Sequence, residues 1–110
     1  MNSSTLNIDL NAKDNLGQTA FHIACVWGNY NVAHILIYNS DTCSIDINAI
    51  DNFGQTAFDL ACMKGHSEIV EMLMEKSAEF NIDLNMKDDN GRTPFHLVCK
   101  NGHFKLADDE

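Results

Sequence analysis

The chain has 110 residues, with 7 basic and 16 acidic side chains for a formal charge of −9, four cysteines and one proline. That balance argues against a nucleic-acid backbone as ligand, because phosphate binding rests on clustered Lys and Arg. The length suits one continuous small core, and no run approaches the roughly 18 to 20 apolar residues of a membrane helix. The polar start Met1-Asn2-Ser3-Ser4 lacks the charged and apolar regions of a signal peptide. A monomeric cytoplasmic or nuclear protein that binds no membrane is therefore expected.

Along the chain, Asp-x-x-Gly-x-Thr-x-Phe occurs three times at an interval of 37 residues, with glycines at Gly17, Gly54 and Gly91 and phenylalanines at Phe21, Phe58 and Phe95. The same shift aligns Asn11, Asn48 and Asn85, then Cys25, Cys62 and Cys99, then Gly28, Gly65 and Gly102. A fixed period of this size marks an array whose units each bury their apolar face only by stacking on a neighbour. Residues 1–13 read as the tail of a preceding partial repeat, followed by units at 14–50, 51–87 and 88–110.

Each unit begins with a turn signal, Asp51-Asn52-Phe53-Gly54 in the middle one, where Asp and Gly suit a tight reversal. Thr56 then predicts a helix N-cap, with Asp59 as a short acidic capping-box partner, and Pro94 fits the first helical position of the third unit. Phe58, Ala61 and Cys62 follow the i, i+3, i+4 spacing of a buried stripe, and Gly65 fits a left-handed cap. A second helix should carry Ile69, Val70, Met72 and Leu73 inward and leave Glu68, Glu71 and Glu75 in water.

The connection from Ser77 to Asn85 should be long and bulged, with Phe80 or Ile82 tucked back onto the helices. In the third unit, Asp109 and Glu110 fall where Met72 and Leu73 sit in the second. That fits either a polar end cap or a piece of a longer array, and makes the residues after Gly102 the least protected.

These residues resemble the ankyrin repeat, whose signature is Asp-x-x-Gly-x-Thr-Pro-Leu-His-x-Ala followed by a glycine and a second helix. Here it reads Thr19-Ala20-Phe21-His22-Ile23-Ala24, then Thr56-Ala57-Phe58-Asp59-Leu60-Ala61, then Thr93-Pro94-Phe95-His96-Leu97-Val98. Phe replaces the usual Leu throughout, Asp59 replaces the His once, and the period exceeds the usual 33 or so. The resemblance implies an all-α solenoid of helix-turn-helix units joined by β-hairpin loops. It also gives His22 and His96 a structural role, tying one hairpin to the next.

Nothing in the chain predicts catalysis, a cofactor or a metal. No His pair stands at i, i+4 with a Glu, no Gly-rich phosphate loop is present, and Asp14, Asp51 and Asp88 lie too far apart for a calcium loop. Cys25, Cys62 and Cys99 are expected as buried free thiols, because stacked helices lie about 8–10 Å apart, beyond disulfide reach. Cys43, in a connecting loop, is the one thiol expected to be accessible.

The resemblance implies binding to a partner protein through a concave face of hairpin tips and first helices. The turn positions there are Leu16, Gln18, Phe53, Gln55, Asn90 and Arg92, beside Val26, Trp27, Met63, Lys64, Lys100 and Asn101, none of them expected to serve stacking. Apolar side chains at one end and Lys64, Arg92 and Lys100 at the other suit a partner segment with an apolar anchor and an acidic flank. The alternatives are a structural spacer within a longer array or larger protein, or a regulatory inhibitor that masks another protein's surface.

Overall fold

The computed structural model describes residues 8–101, and among them all regular structure is helical. The helices are α1 (Ala20–Val26), α2 (Tyr30–Tyr38), α3 (Ala57–Lys64), α4 (Ser67–Glu75), α5 (Ser77–Phe80) and α6 (Pro94–Asn101). First helices form one layer, α1 on α3 and α3 on α6, and the second helices α2 and α4 pack together in the other. The core runs between the layers through Phe21, Phe58, Ile37, Ile69, Val70 and Leu73, with Phe95 packed against it. The rings of Phe58 and Phe95 meet edge to face at 6.1 Å. Each such side chain contributes about 1.5–3 kcal/mol by leaving water, so the apolar stripe, repeated in register, is the main adhesive of the stack.

The helix starts follow from the threonines. The hydroxyl oxygen of Thr56 accepts from the Asp59 amide at 3.2 Å, and Asp59 Oδ2 accepts from the Thr56 amide at 2.9 Å. Thr19 and His22 make the reciprocal box on α1. Gly65, at φ 75°, ends α3 in the left-handed conformation that a glycine adopts without steric cost. Ile69, Val70, Met72 and Leu73 are buried, and Glu68, Glu71 and Glu75 face solvent.

The reversals before α1, α3 and α6 share one construction. Asp51 Oδ1 accepts from the amides of Phe53 and Gln55, both at 2.9 Å, while the Asp51 amide donates to the Gln55 carbonyl at 2.9 Å. Asp14 and Asp88 repeat it. Successive reversals are joined by backbone bonds, Asn52 N to Leu16 O at 3.0 Å and Asp89 N to Phe53 O at 3.2 Å. The recurring aspartates therefore serve the turns.

The long connection after α4 is more ordered than a loop. The Ser77 hydroxyl donates to the Met74 carbonyl at 2.9 Å, one helical turn follows as α5, and Asn81 ends it at φ 62°. Phe80 packs against the core and Ile82 is buried, so both expected side chains fold back. The first unit repeats the pattern with Ser40, Ser44 at φ 57° and buried Ile45. In that register Cys43 takes the place of Phe80.

Two cysteine expectations need correction. Cys25 and Cys62 are buried free thiols, but Cys99 is exposed and Cys43 is half-buried. Cys25 and Cys62 each have a further helix stacked over them, whereas no unit covers Cys99 among the described residues. Cys43 is drawn onto the core by the turn that the lengthened connection makes. The positions of Asp109 and Glu110, and the protection expected after Gly102, lie outside the described residues.

Candidate partner-binding surface

The reversals present their tips in a row because backbone bonds fix the step from one to the next. Leu16 and Phe53 stand at two successive tips and are 53% and 58% exposed, a large apolar area held by rigid turns. Trp27, the residue that closes α1, is 73% exposed. It lines an open cleft of about 300 Å³ together with Val26, Lys64 and His66. His66 is fixed there because its Nε2 lies 3.1 Å from the Val26 carbonyl and its ring fills the space beside Gly28. A Cβ on Gly28 would lie 2.8 Å from that ring, so the close approach requires glycine.

The twelve expected residues thus fall into several groups. Leu16 and Phe53 stay at the tips, while Val26, Trp27 and Lys64 come together around the cleft, with Met63 half-buried. Asn90 and Lys100 are exposed, Gln18 is half-buried, and the side chain of Asn101 lies outside the described residues. Gln55 is buried, and its carbonyl oxygen lies 2.9 Å from His22 Nε2, so the expectation that it plays no part in stacking is corrected. Arg92 is half-buried, with its guanidinium 3.3 Å from Asp88 Oδ2. The basic strip is therefore reduced to Lys64 and Lys100.

His66 escaped the sequence reading because the corresponding position in the first unit is Asn29, so register alone gives it no part in a cleft. The only signal was indirect. Trp27 and Lys64 are 37 apart, which makes them neighbours along the stack.

Electrostatics concentrate at the aspartates. Burial pushes Asp59 up to about 6, against hydrogen bonds from Thr56 that pull it down, and the charges of Asp88 and Asp51 add to the rise. Burial pushes Asp88 up as well, but there the amides of Arg92 and Asn90 and the Arg92 charge prevail and hold it below its ordinary value. Among the described residues no group of three His, Cys, Asp or Glu side chains is placed to hold a metal ion.

The profile of the family described as ankyrin repeats (3 copies) matches residues 3–83. The chain belongs to the ankyrin-repeat family. A second profile, ankyrin repeats (many copies), matches residues 75–108. No curated protein matches the chain. Ankyrin repeats are generally protein–protein interaction modules, typically without catalysis of their own. In this ankyrin stack Leu16, Phe53, Trp27 and Lys64 are side chains that the packed core leaves exposed. No helix among the described residues is long and apolar enough to cross a membrane.

Proposed function

We propose that this ankyrin stack binds a partner protein through the hairpin tips Leu16 and Phe53 and the cleft that Trp27 forms with Val26, Lys64 and His66. The observation that carries this reading is the exposure of Trp27, 73%, on the wall of an apolar cleft. Burying an indole that folding has left in water provides the large, rigid anchor that dominates interface energy. The proposed face extends to the half-buried Met63 and Gln18. Lys64, and Lys100 further along, suit an acidic flank beside the apolar anchor, while Arg92 is already engaged by Asp88.

The partner is a polypeptide, met in a reducing compartment such as cytoplasm or nucleus, where Cys25 and Cys62 stay as thiols. The spacer reading draws on a different surface, the uncovered end of the first helix pair.

Panning a random peptide library against the protein tests the proposal. Enriched peptides should pair an aromatic or large aliphatic residue with nearby Asp or Glu, and should compete with one another. Enrichment of basic peptides, or enrichment undiminished by Trp27→Ala, would remove the site.

A further inference from the structure

Where α2 and α4 lie side by side in the second layer, they form a groove whose two walls carry different chemistry. On α2, Tyr30, His34 and Tyr38 follow at i, i+4 and i+8 and stack in one stripe, with ring centroids 5.8 Å apart from Tyr30 to His34 and 4.4 Å apart from His34 to Tyr38. On α4, Glu68, Glu71, Met72 and Glu75 follow at i, i+3, i+4 and i+7, which puts them on one face. Tyr30 and these four residues line an open groove of about 400 Å³. Both walls are described helices, and the pairing is peculiar to this boundary: one unit on, Ser67, Glu71 and Glu75 hold the register of Tyr30, His34 and Tyr38.

Charge in the groove is unbalanced. Glu68, Glu71 and Glu75 make no ion pair among the described residues, and no Lys or Arg lines the groove. The helix starts close by carry about half a positive charge each, less than three carboxylates supply. The far end of the aromatic stripe shows what such a surface holds. There the Lys76 ammonium stands 5.4 Å from the centre of the Tyr38 ring and 4.0 Å from a carboxylate oxygen of Glu79. An aromatic face beside a carboxylate is thus a place that this molecule already gives to a cation, held by the ring quadrupole and by Coulomb attraction. Tyr30 with Glu68 and Glu71 repeats the pairing at the near end, where the described residues supply no cation. The carboxylates are also too spread to ligate one metal ion, since no group of three among the described residues is placed to do so. Glu68 and Glu75 are separated by two helical turns, about 10 Å, a span that two basic residues two or three apart on an extended segment match.

We infer that this groove docks a basic segment of a partner protein, with one cationic side chain on the face of Tyr30 beside Glu68 and a second against Glu71 and Glu75. Arg suits the first place better than Lys, because a planar guanidinium can stack on the ring while its edge bonds a carboxylate. The surface is separate from the Trp27 cleft and has the opposite charge preference, so it does not rest on that site.

Titration with the peptide acetyl-Gly-Arg-Gly-Gly-Arg-Gly-amide at low salt, followed through the protein's amide chemical shifts, tests the assignment. Saturable shifts should centre on Tyr30, Glu68 and Glu71, and a peptide with glutamine in place of both arginines should cause none. So small a probe should bind with a Kd of about 1 mM, too weakly to be retained in panning. Glu68→Gln with Glu75→Gln should weaken binding at least about fivefold, while Asp41→Asn with Asp46→Asn, an equal loss of charge in the connection after α2, should change it less than about twofold. Tyr30→Leu, which leaves the charge as it is, should weaken binding by about two- to fivefold. Every altered side chain is exposed, so folding survives, which circular dichroism checks. Trp27→Ala should leave the titration unchanged, which keeps the result independent of the partner-binding site. Equal losses from the two charge pairs would reduce the effect to diffuse attraction by a chain of net charge −9 and overturn the inference. Shifts centred on Trp27 and Lys64, or full affinity in Tyr30→Leu, would overturn it as well.

Discussion

His22 Nε2 lies 2.9 Å from the carbonyl oxygen of Gln55, a bond that crosses from the first helix of one unit to the hairpin of the next. The Thr19 amide donates to His22 Nδ1 at 3.1 Å, which leaves the ring proton on Nε2 and makes it the donor across the boundary. The same imidazole therefore caps its own helix and fixes the neighbour. His22→Ala should cost about 1–3 kcal/mol in urea denaturation, since it leaves buried polar groups without partners. His96→Ala should cost less, because His96 is exposed and meets no later hairpin among the described residues. Equal losses would show that the crossing bond adds nothing.

Asp59 takes the register of His22 but is too short to cross. Its Oδ2 keeps the cap to Thr56, while Oδ1 is buried without a hydrogen-bond partner. With its folded pKa raised to about 6 from an ordinary 3.8, mainly by burial, the native state prefers the proton. Its contribution to stability is complete below about pH 4 and lost as pH rises through about 6. The loss at pH 8 should be on the order of 2 kcal/mol after allowance for screening. Asp59→Asn should therefore be more stable than the unaltered chain at pH 8 and nearly equal to it at pH 4, by chemical denaturation at both pH values. A difference independent of pH would assign the effect to something other than the carboxylate's charge.

The four thiols should react in order of exposure. Burial pushes Cys25 far above its ordinary value, with nearby Cys62 adding to the rise, and burial with the charge of Asp59 pushes Cys62 up to about 12. In a native-state labelling time course followed by mass, Cys99 should be modified first, Cys43 next, and Cys25 and Cys62 only on unfolding. Early labelling of Cys25 would mean that the α1–α3 interface opens readily.

Much of this was legible in the sequence, because a repeat writes its local chemistry several times. Thr56 with Asp59, the left-handed Gly65, the aspartate-built turns and the inward set Ile69, Val70, Met72 and Leu73 follow from residue type and spacing alone. What stayed hidden depends on neighbours. Cys99 holds the same register in its unit as Cys25, yet burial belongs to the unit stacked above, which differs along the array. Gln55 and Gln18 share a register, but only Gln55 has a histidine in front of it to occupy its carbonyl. Cys43 owed its position to Ser40 and Ser44, whose turn was apparent only once Ser77 and Asn81 were seen to shape the same bend. The aromatic anchors were visible as residue types, but the cleft required His66, whose counterpart is Asn29.

The central claim is that Trp27 and Phe53 serve a partner and not the stack, and one paired measurement tests it. The melting temperature of Trp27→Ala with Phe53→Ala should be nearly that of the unaltered chain, because both side chains lie more than half in water. Affinity for the tightest peptide selected on the unaltered protein should fall by roughly 2 kcal/mol or more, about 30-fold. A large drop in melting temperature with binding intact would place these side chains in the fold and contradict the account.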